Sequence, residues 1–204
     1  MEVAVGGRPL FVHYLGTTLD KKQMCRPSPY EKESFFVDEA ESNSIRDKGI
    51  IRQMSFLLRT LATKREVDTA IRDTLDKVLI LRFGCARDAI CLQLDDILAK
   101  SSGEISKFAV IALVDVEAED VQVYVKYFDI TLIPSTVFFF NAHHMKMDSG
   151  TADHTKWVGS FQCKQDFIDV VEAIFRGAMK GKLIVSCPLP LESIPRFQLL
   201  FKDV

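Results

Sequence analysis

No CxxC pair occurs anywhere in the chain, and its five cysteines, Cys25, Cys85, Cys91, Cys163 and Cys187, are odd in number and irregularly spaced. That pattern argues for a reducing compartment with mostly free thiols, and against a structural zinc site built on paired cysteines. Long apolar runs are missing too. The longest, Phe108 to Val114, falls far short of the ~20 residues that span a bilayer, so no membrane segment is expected. The N-terminus lacks a charged leader region, and Arg8 and His13 interrupt its apolar stretch, which speaks against a secretion signal. An excess of one charge sign is also absent. A net charge of -2 and a pI near 6.1 exclude a general attraction for nucleic acid or acidic membrane. Any RNA contact therefore requires a local patch or a protein intermediary, and direct RNA binding is the weakest reading.

What is present is the composition of a globular domain, with 48% apolar and 26% charged residues, enough for one well-buried core and a tail. Residues 1–53 stand apart. They mix eight basic with eight acidic residues, and apolar residues are sparse after Leu19. Such a stretch buries too little surface to offset its ordering entropy, so it reads as a disordered extension, or as an arm that folds on a partner. Met54 is expected to open the folded domain, 54–204, with the first 53 residues an upstream start or alternative first exon.

Thr63 and Glu66 have the spacing of a capping box, and Val67, Ala70, Ile71 and Leu75 follow on one helical face. Val78 to Phe83 predicts a buried strand, Gly84 to Arg87 a loop, and Asp88 an N-cap for a helix striped by Ile90, Leu94, Ile97 and Leu98. Phe108 to Val116 predicts a central parallel strand buried on both faces. Glu117, Glu119 and Asp120 suit the first turn of the next helix, whose inner face is Val121, Tyr124, Val125 and Phe128. Pro134 cannot donate to a ladder, so it belongs at the start of the strand Thr136 to Phe140. A turn over Asn141–His144, a returning strand Met145–Asp148, a loop carrying Trp157 and a long helix marked by Phe167, Val170, Val171, Ile174, Phe175 and Ala178 complete the pattern. Gly177 and Gly181 are expected to loosen the end of that helix, and the tail from Cys187, with Pro188, Pro190 and Pro195, to be extended or irregular. Helix, strand, helix, strand, helix, strand, strand, helix is the order of an α/β thioredoxin-like fold: a central mixed sheet flanked by helices.

In that fold the chemistry belongs to a cysteine at a helix N-terminus, activated by the dipole and resolved by a second cysteine three residues on. The corresponding stretch here is Asp88-Ala89-Ile90-Cys91. The second cysteine is kept, but an aspartate holds the nucleophile position. The acidic residue that many thioredoxins bury in the preceding strand is missing as well, since Val78 to Leu81 is wholly apolar. Cys91 reads most simply as a half-buried core thiol on the first helical turn. A Cys85–Cys91 disulfide is conceivable from the six-residue spacing, and a weak thiol-disulfide oxidoreductase using Cys91, with or without Cys85, is the alternative function. His143-His144 with Met145 and Met147 suggests a soft-metal site, but adjacent strand side chains point to opposite faces, so solvated histidines at a hairpin turn are expected instead. Arg176, Lys180 and Lys182 read as dipole compensation at a helix end. Ser135 and Thr136 have no histidine base at triad spacing, so no hydrolase role is assigned.

From Met54 onward the chain resembles the Dim family of thioredoxin-like spliceosomal proteins. The residues carrying the resemblance are Ser55-Phe56-Leu57-Leu58, Glu66-Val67-Asp68, Leu81-Arg82-Phe83-Gly84, Cys91-Leu92-Gln93-Leu94-Asp95-Asp96, Ile133-Pro134 with Ser135 through Phe140, His144-Met145-Lys146 and Phe175-Arg176-Gly177-Ala178. The thioredoxin-like fold implies a cis Ile133–Pro134 bond, and the family resemblance implies a nuclear component of pre-mRNA splicing that binds other proteins and is not an enzyme. It also implies a helical-repeat scaffold of the tri-snRNP as partner, a role in cell-cycle progression and self-association as a homodimer. No cofactor or metal is implied. The family's tri-snRNP branch carries a cysteine directly after the proline, where this chain has Ser135. Two departures stand out: Arg59 occupies a family proline position, and the extension has no counterpart.

Overall fold

The computed structural model describes residues 58–195, in which the elements follow the chain as β1 (Arg59–Leu61), α1 (Lys64–Asp73), β2 (Val78–Gly84), α2 (Ala89–Ile105), β3 (Ala109–Asp115), a 3-10 turn (Glu119–Val121), α3 (Gln122–Tyr127), β4 (Ser135–Phe140), β5 (His143–Asp148), β6 (Trp157–Val158), α4 (Lys164–Ala178) and β7 (Ile184–Ser186). The expectations for residues 1–53, for a domain start at Met54 and for the tail beyond Pro195 lie outside the described residues. One mixed sheet runs β1-β3-β2-β4-β5-β7, with β6 pairing onto β4. β1, β3 and β2 are parallel, β4 is antiparallel to β2, β5 and β6, and β7 is parallel to β5. This is the thioredoxin-like arrangement.

Strand alternation sorts the core into two layers. Val78 and Ile80 pack with Phe138, Leu94, Leu98, Val171 and Ile174, which is the side covered by α2 and α4. Leu79, Leu81 and Phe83 pack with Val137, Phe139, Val67, Val121 and Phe128, the side covered by α1 and α3. β2 is buried along its whole length because it has neighbours on both edges and helices on both faces. β3 departs from its expectation. Val110 is exposed, while its neighbours Ala109 and Ile111, whose side chains join the α2/α4 layer, are buried.

The predicted capping box closes α1. Thr63 Oγ1 accepts from the Glu66 amide, while Glu66 Oε2 accepts from the amides of Thr63 and Ala62 at 3.0 and 2.9 Å. Those donors hold the Glu66 carboxyl below its usual range. α1 ends at Asp73, with Thr74 extended, so Leu75 falls outside the helix and is exposed rather than inward-facing. Glu117 likewise precedes the helical turn; its carboxylate accepts from Arg87 at 2.7 Å.

Further expectations are corrected at the β4–β5 turn, at His144, at Gly177 and Gly181, and at Trp157. The turn after β4 is shorter than Asn141–His144: Asn141 and Ala142 alone take positive φ, and both histidines belong to β5. His143 is exposed, whereas His144 is half-buried, donates from Nε2 to the Thr155 carbonyl at 2.7 Å and lies among the rings of Phe128 and Phe139. Gly177 does not loosen α4: a Cβ there would run into Val185 Cγ1, so the glycine lets β7 pack against the helix. Gly181, with φ of 74°, closes α4 through bonds from Gly181 N to the Ala178 carbonyl and from Lys182 N to the Gly177 carbonyl. The tail is irregular in backbone yet not loose, because Leu189 and Ile194 are buried in the α2/α4 layer. Trp157, expected in a loop, stands in β6 and stacks on Phe161 at 4.6 Å.

Candidate functional site

The site expected to carry chemistry lies where β2 runs out at Gly84 and α2 begins after Asp88. Asp88 has the extended backbone of an N-cap, and its Oδ1 accepts from Cys91 N at 2.8 Å. Its carboxylate is thus committed to the helix end. Cys91 is fully buried, not half-buried as expected, because it packs against Gly84 beneath the first turn of α2. Burial pushes its thiol up to about 12, and the Asp88 carboxylate beside it adds to that rise, outweighing the opposing pulls of the Cys85 backbone and the Arg82 guanidinium. A thiol-disulfide exchanger needs the opposite shift, since only the thiolate attacks. Cys85 is half-exposed, and the two cysteines stand as separate thiols rather than the conceivable disulfide.

Gly84 explains how the thiol is enclosed. A Cβ on residue 84 would lie 2.5 Å from Cys91 Sγ and 2.8 Å from Arg82 Nη1. Thiol and guanidinium therefore close over the backbone of the strand end, and only glycine leaves room for both.

β2 does bury a charge, but of the sign opposite to the acid looked for there. Arg82 is buried on the α2/α4 side, with Nε donating to Asp95 Oδ1 at 2.7 Å and Nη2 bonded to Asp95 Oδ2. Burial raises the Asp95 carboxyl above its ordinary range, and the guanidinium pulls against that rise. Sequence reasoning missed this pair. Its signal was present: Asp95 lies one helical turn after Cys91, on the same inward face, and Arg82 is the one charged residue in an apolar strand.

The Ile133–Pro134 peptide is cis, as expected of the thioredoxin-like fold, and Pro134 is buried. Its carbonyl accepts from Gly159 N at 2.8 Å. Ser135 pairs across the sheet with Phe83, one step from Gly84, and its hydroxyl donates to the Leu132 carbonyl at 2.6 Å. Thr136 pairs with Arg82 on one side and Trp157 on the other. Its hydroxyl and the Trp157 indole N–H are buried without a hydrogen-bond partner among the described residues. Asp88, Cys91 and Pro134 thus belong to one end of the sheet, but the end is packed shut around a cap, a neutral thiol and an ion pair. Among the described residues no cluster of three metal-binding side chains occurs, and no helix is long and apolar enough to cross a membrane.

Comparison with known proteins adds a family. The family described as "Mitosis protein DIM1" matches residues 57–191. Thioredoxin-like protein 4B of Homo sapiens is 60% identical over 151 residues, 74% of this chain and all of that protein. Mitosis protein dim1 of Schizosaccharomyces pombe is 36% identical over 136 residues, 66% of this chain and 94% of that one. Spliceosomal protein DIB1 of Saccharomyces cerevisiae is 34% identical over 134 residues, 66% of this chain and 92% of that protein.

Proposed function

The chain belongs to the DIM1 family, and on that footing we propose that it is a non-catalytic, protein-binding component of pre-mRNA splicing. The names of its relatives, a spliceosomal protein and a mitosis protein, support a place in the spliceosome with a bearing on the cell cycle, and hence a nuclear location. The observation that carries the binding reading is the closed state of the would-be redox end. Asp88 caps where a nucleophile would stand, and Cys91 is a buried, neutral thiol against Gly84 and Arg82. A fold kept intact around such an end serves by its surface. The partner in this reading is a helical-repeat scaffold of the tri-snRNP, with RNA reached through proteins rather than directly, and a homodimer as a second mode of association.

Affinity purification of the full chain from nuclear extract tests the proposal. Recovery of tri-snRNP proteins and their small RNAs is the expected result. A clean preparation carrying neither would overturn it. The oxidoreductase alternative requires insulin reduction above the dithiol background that is lost in Cys91→Ser; the buried thiol leads us to expect none.

A further inference from the structure

Among the described residues, β7 leaves one side of its backbone unused. It is the last strand of the sheet path, paired only with β5 in the register Lys146↔Ile184 and Asp148↔Ser186. Lys146 N donates to the Leu183 carbonyl at 2.8 Å, and Cys187 N donates to the Asp148 carbonyl at 2.7 Å. In a parallel ladder the bonds to the neighbour come from residues flanking each registered one. The amides and carbonyls of Ile184 and Ser186 therefore point away from β5, and among the described residues no strand lies beyond them. The strand is also anchored on α4. Val185 is buried and seated on Gly177, where a side chain of any size would collide with it, and the Gly181 closure of α4 leads straight into the strand.

The surroundings of this edge are apolar and basic. Leu183 and Ile184 are about half exposed, at 54% and 50%, and Met179 is exposed beside them at the end of α4. Lys146, registered against Ile184, is exposed, as are Lys180 and Lys182 in the turn before β7. None of the three lysines forms an ion pair among the described residues. The acid at the far end of the edge, Asp148, faces His154 at 3.7 Å.

We infer that β7 is a docking edge at which an extended acidic peptide of another protein adds as a further strand. Backbone groups of Ile184 and Ser186 supply the ladder, Ile184 and Leu183 contact alternate apolar side chains, and the three lysines meet acidic ones. Lysines on an edge commonly serve to keep copies of a protein from pairing edge to edge. Here they do that and choose the guest: a second copy brings the same three positive charges to the seam, whereas an acidic strand neutralises them. The inference stands independently of splicing, since it rests on the geometry of β5, β7 and α4 alone.

The test pans the immobilised full chain with a displayed library of random peptides of about twelve residues, long enough to cover one edge. Enriched peptides are then titrated by fluorescence anisotropy against wild type, the double variant Lys180→Glu/Lys182→Glu, and Ile184→Pro. Proline at 184 removes an amide that points away from β5, so it blocks the added strand and spares the existing ladder. The expected result is enrichment of acidic, β-branched peptides that bind at least about tenfold more weakly to each variant and weaken with added salt. Circular dichroism checks that the variants are folded; if Ile184→Pro is not, the lysine reversal decides alone. Lack of enrichment, peptides without acidic bias, or affinity unchanged in the lysine variant would overturn the inference. So would self-association of the wild type that Ile184→Pro abolishes, because the occupant would then be a second copy.

Discussion

Cys91 Sγ occupies the space that a side chain on Gly84 would need: a Cβ there would lie 2.5 Å from the sulfur. The contact ties the end of β2 to the first turn of α2 and seals the thiol from solvent.

Gly84→Ala should therefore destabilise the fold by about 1–3 kcal/mol, the usual range for overpacking a filled interior. Arg82 Nη1, 2.8 Å from the same point, leaves little room to yield. Chemical denaturation of Gly84→Ala, Cys91→Ala and the double variant measures it. The double variant should cost less than the sum of the two, because removing the sulfur frees part of the space.

The Arg82–Asp95 pair predicts a larger effect. The Arg82 side chain is 4% exposed and that of Asp95 20%. Asp95→Leu strands a guanidinium in the core and should cost about 3–5 kcal/mol. Arg82→Met combined with Asp95→Leu should regain most of that loss, as buried pairs replaced by well-packed apolar groups commonly do. Urea midpoints of the wild type and the two variants decide the matter. Equal destabilisation of the single Asp95→Leu and the double variant would show that packing, not the buried charge, dominates.

Thiol reactivity separates the two neighbouring cysteines. A thiol pushed up to about 12 is ionised to only about one part in 10⁵ at pH 7. Pulse alkylation of the native chain followed by peptide mapping should label the half-exposed Cys85 and leave Cys91 unmodified until the chain is unfolded. Rapid labelling of Cys91 in the native state would contradict its enclosure.

Acid should weaken the β5 side of the sheet through His144. Burial holds its imidazole below the ordinary value of about 6.5, and Lys146 adds to that, against the Thr155 carbonyl and Asp153, which favour the charged ring. The fold thus prefers the neutral form. The stability this contributes is present above about pH 6.5 and is lost as pH falls through the lowered folded-state value. Melting temperatures between pH 5 and 7.5 should fall toward acid in the wild type and fall less in His144→Phe. Identical slopes would remove His144 from the account.

Local rules made several features of this protein legible in its residues. Thr63 and Glu66 announced their capping box, Asp88 its N-cap, and the run from Ile133 to Phe140 its proline-led strand, because each depends on side chains only a few residues apart. The family motifs pointed to the same fold and to the DIM1 membership found by comparison. Tertiary contacts decided the rest. Three-residue strands such as β1 and β7 carry no periodicity of their own and exist only because β3 and β5 offer them an edge. Gly177 looked like a flexible helix end until Val185 was seen resting on it. The charge of Arg82 became a core feature only when α2 brought Asp95 against it, across a gap of 13 residues. Pairings of that kind are set by how whole elements stack, and no spacing along the chain encodes them.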